Sequence, residues 1–307
     1  KYPAGLEEKD LNKTVTRTIT YVYEDGTPVL NEDGTPKTVT QEAKFTREAK
    51  VNLVTGKVTY GDWTPAQDLA EVKSPVVKGY LADKASVAVV KVTGDSEDIK
   101  EVVTYKPLGS WVPNIPGQPT DPIKYPNDPT DPTKPGQPTE VVPYVPGYTP
   151  KDKDGNPLKP VDPNDPTKGY EVPNLPTDPS QDTPINYVKD TQKAKTTFVD
   201  EKGNPIPGVD AITEEGDSDT PLTKEAEVKA KIKELENKGY ELVSNTYPEG
   251  GKFDKDKGTD QEFKVTLKER VVPVTPDQPK TPGTPVDPNN PEGPKYPAGL
   301  EEKDLNK

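Results

Sequence analysis

The sequence predicts an α+β protein, mostly β, in which two small domains are joined by long proline-rich spacers. Hydrophobic residues make up only 29% of the chain, and 39 of the 307 residues are proline. Proline averages about 5% in globular proteins, so this composition excludes one large core. The apolar residues are instead concentrated in two segments that carry strand and turn patterns. Finally, residues 1–13 recur without change as residues 295–307.

The repeated thirteen residues, KYPAGLEEKDLNK, predict a tandem array with a period of 294 residues. We expect residues 1–13 to be a junction between repeats. Residues 271–307 are then a second proline-rich spacer followed by the start of the next repeat. The polar stretch 7–13 favours a short helical turn. A cloning artefact is the alternative origin, but no tag-like feature accompanies the repeat.

The residue types that are missing exclude several classes of function. The chain has no His and no Cys, which excludes Ser-His-Asp and Cys-His nucleophiles, the usual zinc sites and disulfides. A net charge of −13 without a Lys/Arg cluster opposes binding to nucleic acid or to an anionic membrane. We expect no enzymatic activity, because domains this small rarely build a dry catalytic cleft. We also expect a monomeric unit without membrane insertion.

Residues 14–107 form the first segment with a core. Residues 14–23 alternate so that Val15, Ile19, Tyr21 and Tyr23 share one face of a strand. Further predicted elements follow the Asp25-Gly26 turn, namely strands at 38–46, 49–54, 57–60 and 99–105 and a short helix at 66–72 after Pro65.

Residues 186–270 form the second segment with a core. Strands are predicted at 194–199, 240–243 and 262–267. A helix is predicted from Thr220 as N-cap and Pro221 as first helical residue to Gly239 at its end. Its apolar face comprises Ala226, Val228, Ile232 and Leu235. Both segments therefore follow one order of signals, which predicts one small sheet crossed by one helix.

Residues 108–185 form the proline-rich spacer. Proline lacks a backbone donor and pushes the preceding residue towards extended geometry. Apolar residues within the spacer predict that part of it docks on the first domain: Trp111, Ile115, Val141, Val142, Tyr144, Val145 and Tyr148.

Several motifs resemble the mucus-binding (Mub/MucBP) repeats of Gram-positive surface adhesins. In the first domain, which is similar to the B2-type module, they are residues 16–21 (TRTITY), 58–66 (VTYGDWTPA), 74–80 (SPVVKGY) and 103–109 (VTYKPLG). In the second, which is similar to the B1-type or MucBP module, they are residues 197–200 (TFVD), 238–244 (KGYELVS) and 260–267 (DQEFKVTL).

The resemblance implies β-grasp (ubiquitin-like) domains on an extracellular protein that is anchored to the bacterial cell wall through a region outside this chain. It also implies adhesion to mucin glycans and, in some relatives, to immunoglobulins. The family offers no catalytic residues to carry over. Two alternatives to glycan binding stay open. One is a structural stalk that projects a distal adhesin, and the other is host-protein binding by strand addition at an open sheet edge.

Exposed aromatic residues are the candidate ligand contacts, because flat rings stack on sugars. We predict such contacts for Trp111, Tyr144 and Tyr148, with packing as the alternative role, whereas Trp63 is expected to cap the first core. Residues 152–156 (DKDGN) resemble the opening of a calcium loop. However, the twelfth position is Pro163 rather than Glu, and an ordinary turn explains the same residues. We therefore expect no cofactor, with calcium as the one ion considered.

Overall fold

The computed structural model describes residues 2–3, 5–299 and 301–305. Residues 1, 4, 300, 306 and 307 of the two repeated termini lie outside the described residues. The predictions of a junction at 1–13 and of the start of a further repeat at 295–307 fall partly on them. The architecture is mostly β, with several small mixed sheets and few helices. Within the described ranges, no helix has the length and apolar character needed to cross a membrane.

The chain divides into two compact units, which are described separately. The first comprises residues 1–143 and 152–186, and the second comprises residues 144–151 and 187–307. In chain order the elements are α1 Glu8–Leu11, β1 Asn12–Tyr23, β2 Thr38–Thr46, β3 Ala49–Val51, β4 Val58–Tyr60, β5 Gln67–Leu69, β6 Val72–Lys73, β7 Tyr80–Ala82, β8 Ser86–Val87, β9 Val90–Val92, β10 Ile99–Pro107, β11 Ser110–Asn114, β12 Ile123–Lys124, β13 Tyr148–Lys151, a 3₁₀ turn at Pro166–Lys168, β14 Thr183–Lys189, β15 Thr191–Val199, β16 Ile212–Asp217, α2 Glu225–Asn237, β17 Tyr240–Asn245, β18 Gln261–Glu269 and α3 Glu302–Leu305.

The main sheet of the first unit has the strand order β2-β1-β10-β7. Its first and last strands, β1 and β10, run parallel at the centre, and β2 and β7 pair antiparallel on either side. The strand predicted at 38–46 is confirmed as β2. Three two-stranded sheets, β3-β4, β5-β9 and β6-β8, complete the module.

Alternation along β1 sets what the first core contains. Val15, Ile19 and Tyr21 are buried as predicted, and Arg17 lies on the same face, only 2% exposed. Arg17 donates three hydrogen bonds, from Nε to Gln41 Oε1 and from its terminal nitrogens to the carbonyls of Ala88 and Ala70. A buried cation is tolerated here because each of its three nitrogens finds an acceptor.

The helix predicted at 66–72 is wrong, since these residues form β5 and β6. The Ala70 carbonyl accepts hydrogen bonds from Arg17 and from the Gln41 side chain, so it is not available to a helix. Leu69 is buried in a core cluster with Val15 and Phe45. Tertiary contacts therefore override a weak local preference for helix.

The proline-rich residues of the first unit are held in place by a small sheet of their own. β11 pairs antiparallel with β12 and parallel with residues 183–186 of β14. The Trp111 indole donates to the Pro173 carbonyl at 2.9 Å, and the Tyr125 hydroxyl donates to the Gln181 carbonyl at 2.8 Å. Side-chain donors thus bind a segment whose prolines lack backbone donors.

A local turn recurs in the first unit at six places where Asp is followed two residues later by Thr or Ser. Each Asp Oδ1 accepts both the backbone N–H and the hydroxyl of that second residue, which is the hydrogen-bonding pattern of an Asx turn. The six pairs are Asp25/Thr27, Asp33/Thr35, Asp128/Thr130, Asp131/Thr133, Asp165/Thr167 and Asp178/Ser180.

The second unit repeats the plan of the first, with the order β16-β15-β18-β17 and a parallel central pair, β15 and β18. Helix α2 packs on this sheet. Its residues Val228, Ile232 and Leu235 share a core cluster with Phe198 and Val265. The predicted face is confirmed at these three helical positions, whereas Ala226 is exposed.

The helix begins at Glu225 and not at Pro221, so its predicted start is wrong. The backbone N–H of Thr223 donates to Glu214 Oε1, and that of Lys224 donates to the Tyr247 hydroxyl. These contacts fix the residues before Glu225 outside the helix. At the other end, Gly239 has a φ of 108°, which suits the glycine expected after the last turn.

Within the second unit, an ion pair joins Arg270, directly after β18, to the proline-rich residues that follow. Arg270 contacts Asp287 through both terminal nitrogens, at 2.7 and 2.9 Å. The lead-in residues also behave as predicted. The four-residue helices α1 and α3 both form, and the backbone N–H groups of Glu7 and Glu301 donate to Asp10 and Asp304 in the same way.

We predict that Arg17→Ala destabilises the first unit by about 3 kcal/mol, because it leaves buried acceptors unpaired and opens a cavity. Both tryptophans, Trp63 and Trp111, belong to this unit, so urea unfolding followed by their fluorescence reports on it selectively. Lys44→Ala on the exposed side of β2 is the control and should shift the midpoint little. Equal midpoints for Arg17→Ala and Lys44→Ala would contradict the prediction.

We predict that Gly109→Ala releases the proline-rich residues. A Cβ at Gly109 would lie 2.5 Å from the Gln181 carbonyl oxygen, a clash with backbone. Limited proteolysis should cut between residues 110 and 186 faster than in the parent chain. Gly61→Ala is the matched control, because its nearest neighbour would be 3.7 Å away. Unchanged proteolysis of Gly109→Ala would show that the contact does not hold the segment.

Candidate functional site

The base of the β3–β4 hairpin brings a cation and two aromatic rings together. Arg47 follows β2, and Tyr60 ends β4. The Arg47 guanidinium carbon lies 3.9 Å from the centre of the Tyr60 ring and 4.3 Å from that of Trp63. Backbone hydrogen bonds from Gly61 to Glu48 and from Thr64 to Thr46 close this arrangement. We call Arg47, Tyr60 and Trp63 the arginine cluster.

Trp63 has a structural role in this cluster. It is half-buried and packs against the core cluster that contains Val15, Phe45 and Val92. Its ring lies over Gly94, where a Cβ would come within 2.1 Å of the indole. The prediction that Trp63 caps the first core is therefore confirmed.

The three arginines of the chain differ in how their guanidinium groups are used. Arg17 donates from Nε and both terminal nitrogens, and Arg270 pairs with Asp287 through both terminal nitrogens. Arg47 donates only from Nε, to the Asp10 carbonyl at 2.7 Å. Throughout the described part of the chain, its Nη1 and Nη2 donate no hydrogen bond and pair with no carboxylate.

A cleft of about 510 Å³ in the first unit is the second surface of interest. Its walls include Lys78, Trp111, Lys124, Tyr125 and Asn127. The polar groups at its base bind the protein itself. The Asn127 side chain accepts from the Gly79 N–H and donates to the carbonyls of Val77 and Tyr80, and Lys124 donates to the Leu108 carbonyl. The cleft therefore lies where the proline-rich residues are hydrogen-bonded to the module.

The three predicted ligand contacts are divided between the two units. Trp111 is only 1% exposed and packs edge-on against Tyr125, with ring centres 4.7 Å apart. Its indole N–H donates to the Pro173 carbonyl. Tyr144 and Tyr148 are half-buried and belong to the second unit. Ligand contact by these residues stays a prediction.

The acidic loop at 152–156 is an ordinary turn in this structure. Asp152 Oδ1 accepts the backbone N–H groups of Asp154 and Asn156, both at 2.9 Å. No group of three or more His, Cys, Asp or Glu side chains arranged to hold a metal occurs in residues 2–3, 5–299 and 301–305.

Burial and hydrogen bonding shift several pKa values. Burial, together with a hydrogen bond to Glu214, raises the pKa of Tyr247 to about 12. Burial also raises the pKa of Tyr105. In the Asx turns the effect is opposite, because bonds to the carboxylate favour its charged form. The backbone N–H groups of Asp131 and Thr130 lower the pKa of Asp128 in this way.

Comparison with known families places two modules on these units. A Muc B2-like domain matches residues 6–109, and a mucin binding domain matches residues 192–269. The chain belongs to the mucus-binding (Mub/MucBP) repeats of bacterial surface adhesins, a non-enzymatic family, with a B2-type module followed by a MucBP module. The comparison with curated proteins gave no match.

Solved structures of related modules cover about a third of the chain. The mucin-binding domain of a Streptococcus pneumoniae protein is 34% identical over 32% of this chain and 92% of its own, with a TM-score of 0.27. A MucBP domain of a Pediococcus pentosaceus adhesion protein is 35% identical over 31% and 98%, with a TM-score of 0.25. The type 2 repeat of the mucus binding protein from Lactobacillus reuteri is 28% identical over 31% of this chain and 50% of its own, with a TM-score of 0.26.

The sequence patterns place Tyr60 in a strand, Tyr60 and Trp63 in a family motif and Trp63 over the first core. None of them singles out Arg47. The one available signal was that arginine occurs only three times among 40 basic residues. Contact between residues separated by a hairpin could not be deduced from their spacing.

We predict that the first unit loses stability as the pH falls below about 4, the ordinary range of an Asp carboxyl. The pKa of Asp128 is lower in the folded chain, so its contribution is present above that range and disappears as the carboxylate is protonated. Asp128→Asn should flatten the pH dependence of the melting temperature, measured by tryptophan fluorescence. Asp62→Asn, an exposed carboxylate outside these turns, is the control. Identical pH profiles for Asp128→Asn and the parent would refute the prediction.

Proposed function

We propose that the chain is a repeat unit of a cell-wall-anchored bacterial adhesin and that it binds mucin glycans or mucus glycoproteins through weak, multivalent contacts. The observation that carries this proposal is the consecutive match of a B2-type module and a mucin binding module in one chain. The relatives from Streptococcus pneumoniae and Lactobacillus reuteri are themselves described as mucin-binding and mucus-binding. In this proposal the protein is extracellular and has no enzymatic activity.

The proposed organisation is two β-grasp modules, at 14–107 and 186–270, in a tandem array. Two features support it. Each main sheet has its first and last strands parallel at the centre, with the second and third strands outside them. In the second module, helix α2, which lies between the second and third strands in the sequence, packs against the sheet. The proposed spacers are residues 108–185 and 271–294, and the array continues at 295.

The charge of the chain limits how mucin could be bound. Mucin is rich in acidic sugars, and the chain carries a net charge of −13, so attraction by overall charge is excluded. Recognition must come from local hydrogen bonds and aromatic contacts, each of them weak. Linked repeats compensate, because binding of one unit raises the effective concentration of the next.

Host-protein binding by strand addition is the second candidate function. It is favoured by β17, an edge strand of the second unit whose residues Leu242 and Val243 are 42% and 47% exposed. An extended peptide could extend such an edge by backbone hydrogen bonds. The structural alternative is a repeat that binds nothing and only projects a distal adhesin.

We predict that the chain binds immobilised purified mucin and that a tandem of two copies binds at least about tenfold more tightly, through avidity. Surface plasmon resonance with and without EDTA, and with mucin stripped of its glycans, measures this. Tyr144→Ala and Tyr148→Ala test the predicted contacts, and Tyr2→Ala, which removes an exposed tyrosine that is not among them, is the control.

The outcomes separate the candidates. Loss of binding when the glycans are removed supports glycan recognition. Loss of binding when EDTA is added to intact mucin indicates a bridging cation. Binding to immunoglobulin with no mucin signal, abolished by a proline in β17, indicates the second candidate. Absence of binding to mucin, glycans and immunoglobulin at high micromolar concentration leaves the structural stalk.

A further inference from the structure

We propose that the arginine cluster of the first module is a binding site for an oxyanion carried on a sugar, either a carboxylate or a sulfate ester. This inference rests on the proposed function in taking a glycan as the ligand, and it names the site and the chemical group that is recognised.

The geometry leaves one edge of the Arg47 guanidinium available. The guanidinium carbon lies over the Tyr60 and Trp63 rings, 3.9 and 4.3 Å from their centres, and the Nε donates a hydrogen bond to the Asp10 carbonyl. The remaining edge carries Nη1 and Nη2, the pair of donors that binds two oxygens of a carboxylate or sulfate in parallel. An oxyanion on a sugar therefore matches what the cluster leaves unused.

Contacts within the protein also hold the cluster in place. The Arg47 backbone N–H donates to the Leu11 carbonyl, and Trp63 is fixed against Gly94 and the core. Because the side chain is already held, little of its conformational entropy remains to be lost on binding. The two rings reduce the hydration of the guanidinium, which strengthens its interaction with an anion.

A purely structural role does not account for the terminal nitrogens. The contacts that join Arg47 to α1 and β1 use only its backbone N–H and Nε. Carboxylates are near in sequence, in Glu48 and Asp62, yet within the described residues neither pairs with Arg47. Both other arginines bind acceptors through their terminal nitrogens.

The surroundings suit a sugar better than a free ion. Tyr60 is 42% exposed and so presents ring surface beside the cation. A lone exposed ion pair contributes little binding free energy in water. A ligand that combines the oxyanion with an apolar ring face gains from both parts of the cluster. The same arrangement explains how a chain of net charge −13 could select acidic sugars through one local cation.

The test is a titration of the ¹⁵N-labelled full chain with four probes: sialyllactose, its methyl ester, lactose 3′-sulfate and lactose. We expect sialyllactose or lactose 3′-sulfate to shift the Arg47 Nε and Trp63 Nε1 resonances, with lactose and the methyl ester at least about fivefold weaker. A response to only one of the two acidic probes identifies the oxyanion as carboxylate or sulfate. Equal binding of lactose and the acidic probes overturns the proposal.

Three variants complete the test. Arg47→Gln should weaken the acidic probe at least about fivefold, and Arg47→Lys should weaken it by less, because a lysine keeps the charge but loses the paired donors. Lys50→Gln removes a nearby exposed charge from β3 and should leave affinity unchanged. Melting temperatures identify any variant that fails to fold, in which case Arg47→Lys carries the comparison.

Failure of this proposal is distinct from failure of the proposed function. Mucin binding that is equal in the parent and in Arg47→Gln overturns the site and leaves the adhesin function standing. The same holds if no probe binds while mucin does. Binding of an acidic probe at Arg47 without any binding to mucin supports the site and overturns mucin as the partner.

Discussion

Parallel pairing between the first and last strands is the constraint on which each module depends. In the first module β1 pairs with β10, and in the second β15 pairs with β18. Such a pair cannot form until the whole intervening chain has crossed back over the sheet. The parallel pair therefore determines which strands lie at the edges of the sheet and which elements cover the core. In the second module the cover is α2, whereas in the first it includes short strand pairs that bury Leu69 and Val92.

The same closure positions the surface features. Because β2 pairs with β1, the hairpin that follows it begins beside the start of β1, where the Asp10 and Leu11 carbonyls accept from Arg47. The arginine cluster is a consequence of this pairing. Arg17 has the opposite fate, because alternation along β1 turns it into the core. One register thus assigns one arginine to structure and another to the surface.

The proline-rich residues show how a chain poor in backbone donors still acquires a defined structure. Within the first unit, the side chains of Trp111, Tyr125 and Asn127 supply contacts that a sheet would otherwise make through its backbone. Asx turns set the direction of the chain between these contacts. In the second unit the ion pair of Arg270 with Asp287 holds the proline-rich residues that follow β18.

The sequence by itself determined what depends on neighbours along the chain. It determined the strand at 38–46, the alternation of β1, the apolar face of α2, the helical turn that forms in both copies of the repeat, and the family. Tertiary structure decided the rest. It converted the helix expected at 66–72 into strands, because Arg17 and Gln41 occupy the Ala70 carbonyl. It moved the start of α2 to Glu225, because Glu214 and Tyr247 bind the residues before it. It also buried Trp111 and brought Arg47 to Tyr60 and Trp63. These outcomes depend on contacts between residues far apart in sequence, and local propensity contains no information about such contacts.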